Sequence, residues 1–246
     1  MSFTLSTPIA EITFLDWDSR FFRRKIGRVS VTTQQNLFSL SSVLESAHKQ
    51  QYDLLYVFCD AGFSVSQDVM NLYNGRLVDH KIIYELTLGD DYRVPKFLIR
   101  QFDVTDDKKP LYELAYQSGK YSRYRVDQNF GETNFKRLYR QWIDNSISGE
   151  LADEVFIHNM GDSITGFISL KQNENTGVIG LIATDMRYRG KGIGTALLNH
   201  VKRYAVSSGM TRLEVTTQGG NETACRFYEK NQFSVKNVSN VYHCWL

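Results

Sequence analysis

From Ile193 onward the residues Ala196, Leu197, His200, Val201, Tyr204 and Ala205 recur at the three- and four-residue spacing of one helix face, and Gly209 stands where such a helix would end. A second helix is predicted where Phe135, Leu138, Tyr139, Trp142, Ile143 and Ile147 share a face. Ahead of it, Thr105-Asp-Asp reads as a helix start whose apolar face continues through Leu111, Leu114 and Ala115. Three apolar runs follow, Val155–His158, Ile164–Leu170 and Val178–Ala183. The turn-rich stretches Asn159-Met-Gly161 and Asn173-Glu-Asn-Thr-Gly177 separate them, which predicts a meander of strands. A strand at Phe97–Phe102, another marked by the alternation Leu213, Val215, Thr217, a short helix from Asn221 and a last strand near Val241–Trp245 complete the pattern. The order β-α-α-β-β-β-α-β-α-β is mixed α/β.

Earlier in the chain the signal is weaker. Val43, Leu44 and Ala47 have helical spacing, Leu54–Cys59 is a continuous apolar run typical of a buried strand, and Ile82, Ile83, Tyr84 and Leu86 read as a strand. That strand meets the turn residues Leu88-Gly-Asp-Asp-Tyr-Arg-Val-Pro95. The expected division is therefore a small α/β domain over residues 1–95, contributing to the substrate site, and a larger domain over residues 96–246.

Composition narrows the function classes. The 29 Lys+Arg against 27 Asp+Glu leave a formal charge of +2, too near neutral for a dedicated nucleic-acid or membrane binder. No stretch of about eighteen apolar residues occurs, and the N-terminus lacks the basic start and apolar run of a signal peptide. The three cysteines, Cys59, Cys225 and Cys244, are scattered and form no metal-type pair. The expectation is a soluble cytoplasmic protein without a metal, a nucleic-acid partner or a membrane partner.

The clearest candidate chemistry is Arg187-Tyr-Arg-Gly-Lys-Gly-Ile-Gly194, which joins a predicted strand directly to the most periodic helix. Glycines at 190, 192 and 194 let the backbone pass close to a ligand and turn its N–H groups inward. The helix N-terminus adds about half a positive charge, and Arg187, Arg189 and Lys191 add whole ones. This suits a pyrophosphate. A P-loop is excluded, because Asp185 stands where its first glycine belongs and Gly192 follows Lys191. A dinucleotide fingerprint has Glu214 at a suitable distance, but Thr195 or Leu197 replaces its third glycine and the preceding meander is not a βαβ start. A glycine-rich surface turn leaves the three cations and the helix start as coincidence.

Arg189-Gly-Lys-Gly-Ile-Gly194 resembles the Gln/Arg-x-x-Gly-x-Gly/Ala loop of the GNAT superfamily of N-acetyltransferases. Asn221-Glu-Thr-Ala-Cys-Arg-Phe-Tyr-Glu-Lys-Asn-Gln-Phe233 resembles the same superfamily's Asn-x-x-Ala-x-x-x-Tyr-Glu-Lys-x-Gly-Phe segment. The likeness covers roughly residues 97–246, with Gln232 in place of a glycine and Met186 in place of a proline. It implies a GNAT fold with a mixed, mostly antiparallel sheet, an acyl-CoA co-substrate (acetyl-CoA or a longer acyl-CoA) and no metal. It further implies that Arg187, Arg189, Gly190, Lys191, Gly192, Ile193, Gly194 and Thr195 hold the pyrophosphate. Leu181, Ile182, Ala183 and Thr184 would take the pantetheine as an added strand, one N–H polarising the thioester. Tyr228 would be the general acid beside the CoA sulfur, and Asn221 would bind the pantetheine or cap its own helix. The general base stays open among Asp127, Glu132, His158, Asp185 and His243, and a water chain would also serve an amine of pKa about 8.

The acceptor depends on other segments. Lys120-Tyr-Ser-Arg-Tyr-Arg125 interleaves three cations with two aromatics, suiting a diphosphate and a base or sugar. Ser122–Arg125, Tyr139-Arg-Gln-Trp-Ile-Asp-Asn145, Leu15-Asp-Trp-Asp-Ser-Arg-Phe-Phe22 and Thr217-Gln-Gly-Gly-Asn221 are similar to stretches of nucleotide-sugar N-acyltransferases of the dTDP-fucosamine acetyltransferase type. That likeness implies an acceptor pocket including Arg123, Tyr124 and Arg125, a dTDP-linked amino sugar as substrate, and a homodimer, for which no sequence feature marks a surface. Two alternatives remain: a GNAT enzyme acting on another amine (an aminoglycoside, a polyamine or a protein N-terminus), and a catalytically silent GNAT-fold binding module.

Overall fold

The computed structural model describes residues 10–89, 92 and 97–246. In chain order the elements are β1 (Thr13–Phe14), α1 (Asp16–Phe22), β2 (Ile26–Val31), α2 (Gln34–Lys49), β3 (Leu54–Asp60), α3 (Gln67–Leu72) and β4 (Gly75–Thr87). Then come β5 (Ile99–Gln101), α4 (Lys109–Ser118), α5 (Arg123–Val126), α6 (Gly131–Ile147), β6 (Glu154–Met160), β7 (Ser163–Asn173) and β8 (Thr176–Thr184). The chain closes with α7 (Ile193–Ser207), β9 (Arg212–Gln218), α8 (Glu222–Lys230) and β10 (Ser234–Trp245).

Two compact units result, Met1–Lys81 with Val238–Leu246, and Ile82–Asn237. The units part earlier than the turn-rich stretch at 88–95, of which residues 90, 91 and 93–96 lie outside the described residues. The C-terminal strand belongs to the first unit because β10 pairs antiparallel with β3 from Ser239↔Asp60 to Trp245↔Leu54. In that unit β2 and β3 are parallel neighbours, and α2 makes the crossover that parallel strands require. Thr33 caps α2 by accepting from the Asn36 N–H at 3.1 Å. The helix then buries Leu40, Val43, Leu44 and Ala47 against Val29, Val31, Leu55 and Val57.

In the second unit the strands lie in the order β4, β9, β8, β7, β6, β5. The antiparallel run β6–β8 is the predicted meander, β5 adds antiparallel to β6 at its edge, and β8 pairs with β9 in parallel. This is the mixed α/β architecture expected from the pattern. Helix α7 packs its stripe of Ile193, Ala196, Leu197, Val201 and Ala205 into a core with Phe156, Ile168, Ile179 and Val215. One predicted boundary moves. Thr105-Asp-Asp does not start α4, which begins at Lys109 with Pro110 in its first turn. Asp103 instead accepts from both the N–H and the hydroxyl of Thr105, at 2.8 and 2.6 Å. Asp106 takes the Arg100 guanidinium at 2.7 and 2.8 Å. These carboxylates close a turn of their own and are not available as caps. Among the described residues no helix is long and apolar enough to cross a membrane.

Candidate active site

Strand β8 pairs with β9 only from Thr176↔Arg212 to Ile179↔Val215. Beyond that point β8 continues to Thr184 and β9 to Gln218 without pairing, so the two strands splay. The parting coincides with a shift of the β7–β8 register between Ile168 and Leu170. There the buried Ser169 hydroxyl accepts the Leu181 N–H at 2.9 Å. Downstream the Asp185 N–H reaches the Thr165 carbonyl at 2.9 Å. Antiparallel ladders alternate, so Ala183, two residues earlier, also turns its polar groups to β7, while those of Ile182 and Thr184 face the gap. The Thr184 carbonyl accepts Arg189 Nε at 3.1 Å. The Ile182 N–H and carbonyl and the Thr184 N–H thus form a short strand edge facing the splay. Of the four residues expected on pantetheine, Ile182 and Thr184 present backbone there, and the N–H groups of Leu181 and Ala183 are directed to β7.

The loop that follows starts with a single 3-10 turn at Met186–Tyr188, capped by Asp185, whose Oδ1 accepts the Arg187 N–H at 2.9 Å. Arg187 folds back to place its guanidinium 2.7 Å from Asp185 Oδ2. That hydrogen bond, ahead of every other cause, holds the buried Asp185 carboxyl below the ordinary carboxylate range. With both oxygens engaged and its basicity lowered, Asp185 is a poor proton acceptor. Gly190 and Gly192 have φ of +77° and +90°, backbone that side chains rarely adopt. Gly192 is the N-cap of α7, which has neither a side-chain cap nor an acidic residue in its first turn. The first N–H groups of the helix, from Ile193, Gly194 and Thr195, are therefore left for a ligand. Gly194 has a different reason: a Cβ there would come within 3.4 Å of the Phe227 ring and 3.5 Å of Thr184 Oγ1. The end of β8, the start of α7 and α8 converge at this point. All three cations are exposed on the loop, Arg187 in its pair with Asp185 and Lys191 lying 5.0 Å from the Tyr188 ring centroid.

Helix α8 begins with Asn221 Oδ1 accepting the Ala224 N–H at 3.3 Å, so the Asn221 side chain caps its own helix. Tyr228 is 4% exposed and packs among Tyr84, Phe227 and Phe233 at centroid distances of 5.6, 5.4 and 5.7 Å. No described residue hydrogen-bonds its hydroxyl. Burial pushes the phenol well above its usual range, which keeps it protonated at neutral pH. The neighbouring Tyr84 differs, donating its hydroxyl to Glu229 Oε1 at 2.9 Å.

The cation–aromatic segment borders this site. Gln117, at the end of α4, accepts the Met186 N–H at 2.9 Å, and a Cβ on Gly220 would lie 3.9 Å from the Tyr121 ring. Neither contact was legible in sequence; the one hint was Met186 itself, which brings an N–H to a position that is proline in the GNAT pattern. Within the segment, Tyr124 is buried with its ring against Phe130 and Trp142. Its hydroxyl accepts Arg123 Nη2 at 2.7 Å. Arg125 lies 3.4 Å from Glu132, which Lys136 also approaches at 3.0 Å. The Tyr124 ring is thus a packing element, and Arg123 and Arg125 bring charge to the surface beside it. Met186→Pro removes the N–H alone, since Asp185 already has the extended ψ of 132° that precedes proline comfortably. It should leave acyl-CoA affinity within about twofold and raise the acceptor KM about fivefold, a loss of roughly 1 kcal/mol for one hydrogen bond; steady-state kinetics in both substrates checks this.

The remaining base candidates separate. Glu132 is exposed and held low by Lys136 first and then Arg125. Asp127 is buried and its Oδ1 accepts the Asn129 N–H at 3.0 Å. His243 is fully buried in the first unit, its ring 4.8 Å from Tyr56. His158, on β6, lies 2.7 Å from Thr165 Oγ1, and burial lowers its pKa, so the ring stays neutral at pH 7.

The second unit thus brings together a splayed parallel strand pair, a glycine loop opening a helix N-terminus and a tyrosine whose hydroxyl has no partner among the described residues. Residues 114–233 match the sequence profile of the Acetyltransferase (GNAT) family, which marks a GNAT acetyltransferase domain over that part of the chain. Over 93% of its length it is 21% identical to the spore coat polysaccharide biosynthesis protein SpsD of Bacillus subtilis, covering 81% of that protein. It is 24% identical to the dTDP-fucosamine acetyltransferase of Escherichia coli O6:H1, over 94% of this chain and 96% of the relative. Streptothricin acetyltransferase A of Bacillus subtilis is 29% identical over 52% of this chain and 73% of its own. Among solved structures, a GCN5-related N-acetyltransferase from Sphaerobacter thermophilus superposes with a TM-score of 0.62 at 17% identity, over 95% of this chain and 76% of that one.

Proposed function

We propose that the protein transfers an acyl group, acetyl or a short hydroxyacyl, from acyl-CoA to the amino group of a dTDP-linked aminodideoxy sugar destined for surface polysaccharide. The observation that carries this reading is the placement of Lys120–Arg125 beside the splay, through Gln117 on Met186 and Tyr121 near Gly220. A segment with three cations suits a nucleotide diphosphate and not a cationic antibiotic or polyamine. The likeness to dTDP-fucosamine acetyltransferase over nearly the whole of both chains supports the same class; the likeness to streptothricin acetyltransferase is confined to about half of this one.

In the proposed reaction, the unprotonated sugar amine attacks the thioester carbon. An N–H at the edge of β8, at Ile182 or Thr184, stabilises the oxyanion as the tetrahedral intermediate forms. The C–S bond then breaks, the CoA thiolate takes the Tyr228 proton, the new amide nitrogen releases its proton to water, and water returns a proton to the Tyr228 phenolate. The loop Arg187–Thr195 binds the pyrophosphate, leaving the pantetheine to run along β8. Arg123→Ala should raise the acceptor KM about tenfold while acyl-CoA affinity is unchanged, as expected for removal of a charge-assisted contact made to the acceptor alone. Equal loss in both substrates would instead report a misfolded segment.

The reading as a whole is tested by thiol release from acetyl-CoA and longer acyl-CoAs against a panel of dTDP-amino sugars, with mass spectrometry of the products. One acylated sugar nucleotide identifies donor and acceptor together. Turnover only on another amine overturns the acceptor, and intact CoA binding without turnover on any amine points to a silent binding module.

A further inference from the structure

Lys202 lies on α7 with 3% of its surface exposed, and no carboxylate among the described residues pairs with it. A buried cation without a counter-charge is costly and survives only where its hydrogen bonds compensate. Its Nζ donates to the Asn231 carbonyl at 2.8 Å, and the rings of Phe233 and Tyr92 flank it at 5.7 and 5.4 Å. Burial alone lowers the pKa of this ammonium.

Asn231 is the C-cap of α8. Its N–H reaches the Tyr228 carbonyl at 3.0 Å, and the Phe233 N–H reaches the same carbonyl at 3.1 Å. The chain can leave the helix this way only with Gln232 in the left-handed region, at φ +73°. A glycine would adopt that conformation without cost, whereas glutamine there is strained. The ammonium of Lys202 meets the carbonyl end of the helix, where positive charge is favoured, immediately before the strained residue. Two successive hydrogen bonds thus run from Lys202 to the backbone of Tyr228, whose hydroxyl has no bond of its own among the described residues to orient it.

We propose that Lys202 is a positioning residue for Tyr228, its bond to Asn231 holding the end of α8 so that the tyrosine hydroxyl meets the CoA sulfur. This rests on the reading of Tyr228 as the proton donor, and the test separates the two. Turnover and CoA affinity are measured for Lys202→Met, Tyr228→Phe and the double variant. The expectation is a fall in kcat of roughly five- to tenfold for Lys202→Met, within what a general acid contributes, with CoA affinity within about twofold of the parent. In the Tyr228→Phe background the same change should cost less than about twofold, because there is no longer a hydroxyl to place.

Equal losses in both backgrounds would mean that Lys202 is merely structural and overturn the proposal. So would unchanged turnover in Lys202→Met while Tyr228→Phe is impaired. Unchanged turnover in Tyr228→Phe removes the proton donor, and with it anything for Lys202 to position. Should Lys202→Met not fold, Lys202→Gln carries the same cycle with a shorter neutral donor. Gln232→Gly, which relaxes the strained turn, should restore part of the turnover lost in either variant.

Discussion

Replacing Tyr228 by phenylalanine should lower turnover about tenfold or more, the contribution expected of a general acid, and leave CoA affinity unchanged. The substitution removes one oxygen and no packing. The ring would stay among Tyr84, Phe227 and Phe233, and no hydrogen bond of the described residues is lost. A structural tyrosine at 4% exposure would be expected to satisfy its hydroxyl within the protein, as Tyr84 does with Glu229. Tyr228 does not, which is what a group awaiting a substrate atom looks like. Its raised pKa has a definite sign: the phenol remains protonated throughout the neutral range, so a donor role needs no activation and loss of the proton would appear only at alkaline pH. The check is kcat at saturating substrates beside a CoA titration. Parent-like turnover with normal CoA binding would remove Tyr228 from the reaction and leave the thiolate to be protonated by water.

Gly192→Val should weaken CoA binding by about two orders of magnitude, close to 3 kcal/mol. At φ +90° a β-branched residue is a steric outlier. Relaxing that strain, about 1–3 kcal/mol, would rotate the peptide units that aim the first N–H groups of α7 outward. Each charge-assisted hydrogen bond lost from a pyrophosphate adds roughly 1.5–3 kcal/mol. Gly194→Ala is the control. A Cβ there meets Phe227 at 3.4 Å, tight but ordinary contact, and should change CoA affinity by less than about threefold, around 0.6 kcal/mol. Calorimetric titration of both variants distinguishes a loop that binds through its backbone from one that is merely close-packed. Unaltered CoA affinity in Gly192→Val would rule out this loop as the cradle.

Much of the second unit is written in its periodicity. The stripe from Ile193 to Ala205 and the stripe from Phe135 to Ile147 became α7 and α6, since long amphipathic patterns bury the same face in almost any context. The meander came through because its turns carry glycine and asparagine at the points where the chain reverses. In the first unit the alternation Ile26, Val29, Val31 was present, but it was too short and broken to be read as β2 without the partner strand beside it. Helices α1 and α3, at seven and six residues, are too short for periodicity to register. The Thr105-Asp-Asp start was displaced for a local reason: Asp106 is taken by Arg100, and Asp107 accepts the N–H of Lys109, where α4 begins.

The sequence by itself determined the local geometry of the candidate site. The glycine spacing before α7, the Asn221 cap and the position of Tyr228 one turn beyond Ala224 are set by backbone conformations that those residue types prefer wherever they occur. Tertiary structure alone decided how those pieces face one another. The parting of β8 from β9 after Ile179 coincides with a bulge at which Ser169, on another strand, takes the Leu181 N–H. Tyr124 became packing, not a stacking platform, because Phe130 and Trp142 reach it from α6 and the turn before it. Lys202 reads in sequence as one more charge on a helix, and only the approach of α8 turns it into a buried donor to Asn231. Such contacts join residues far apart in the chain, and no local preference encodes which distant group will arrive.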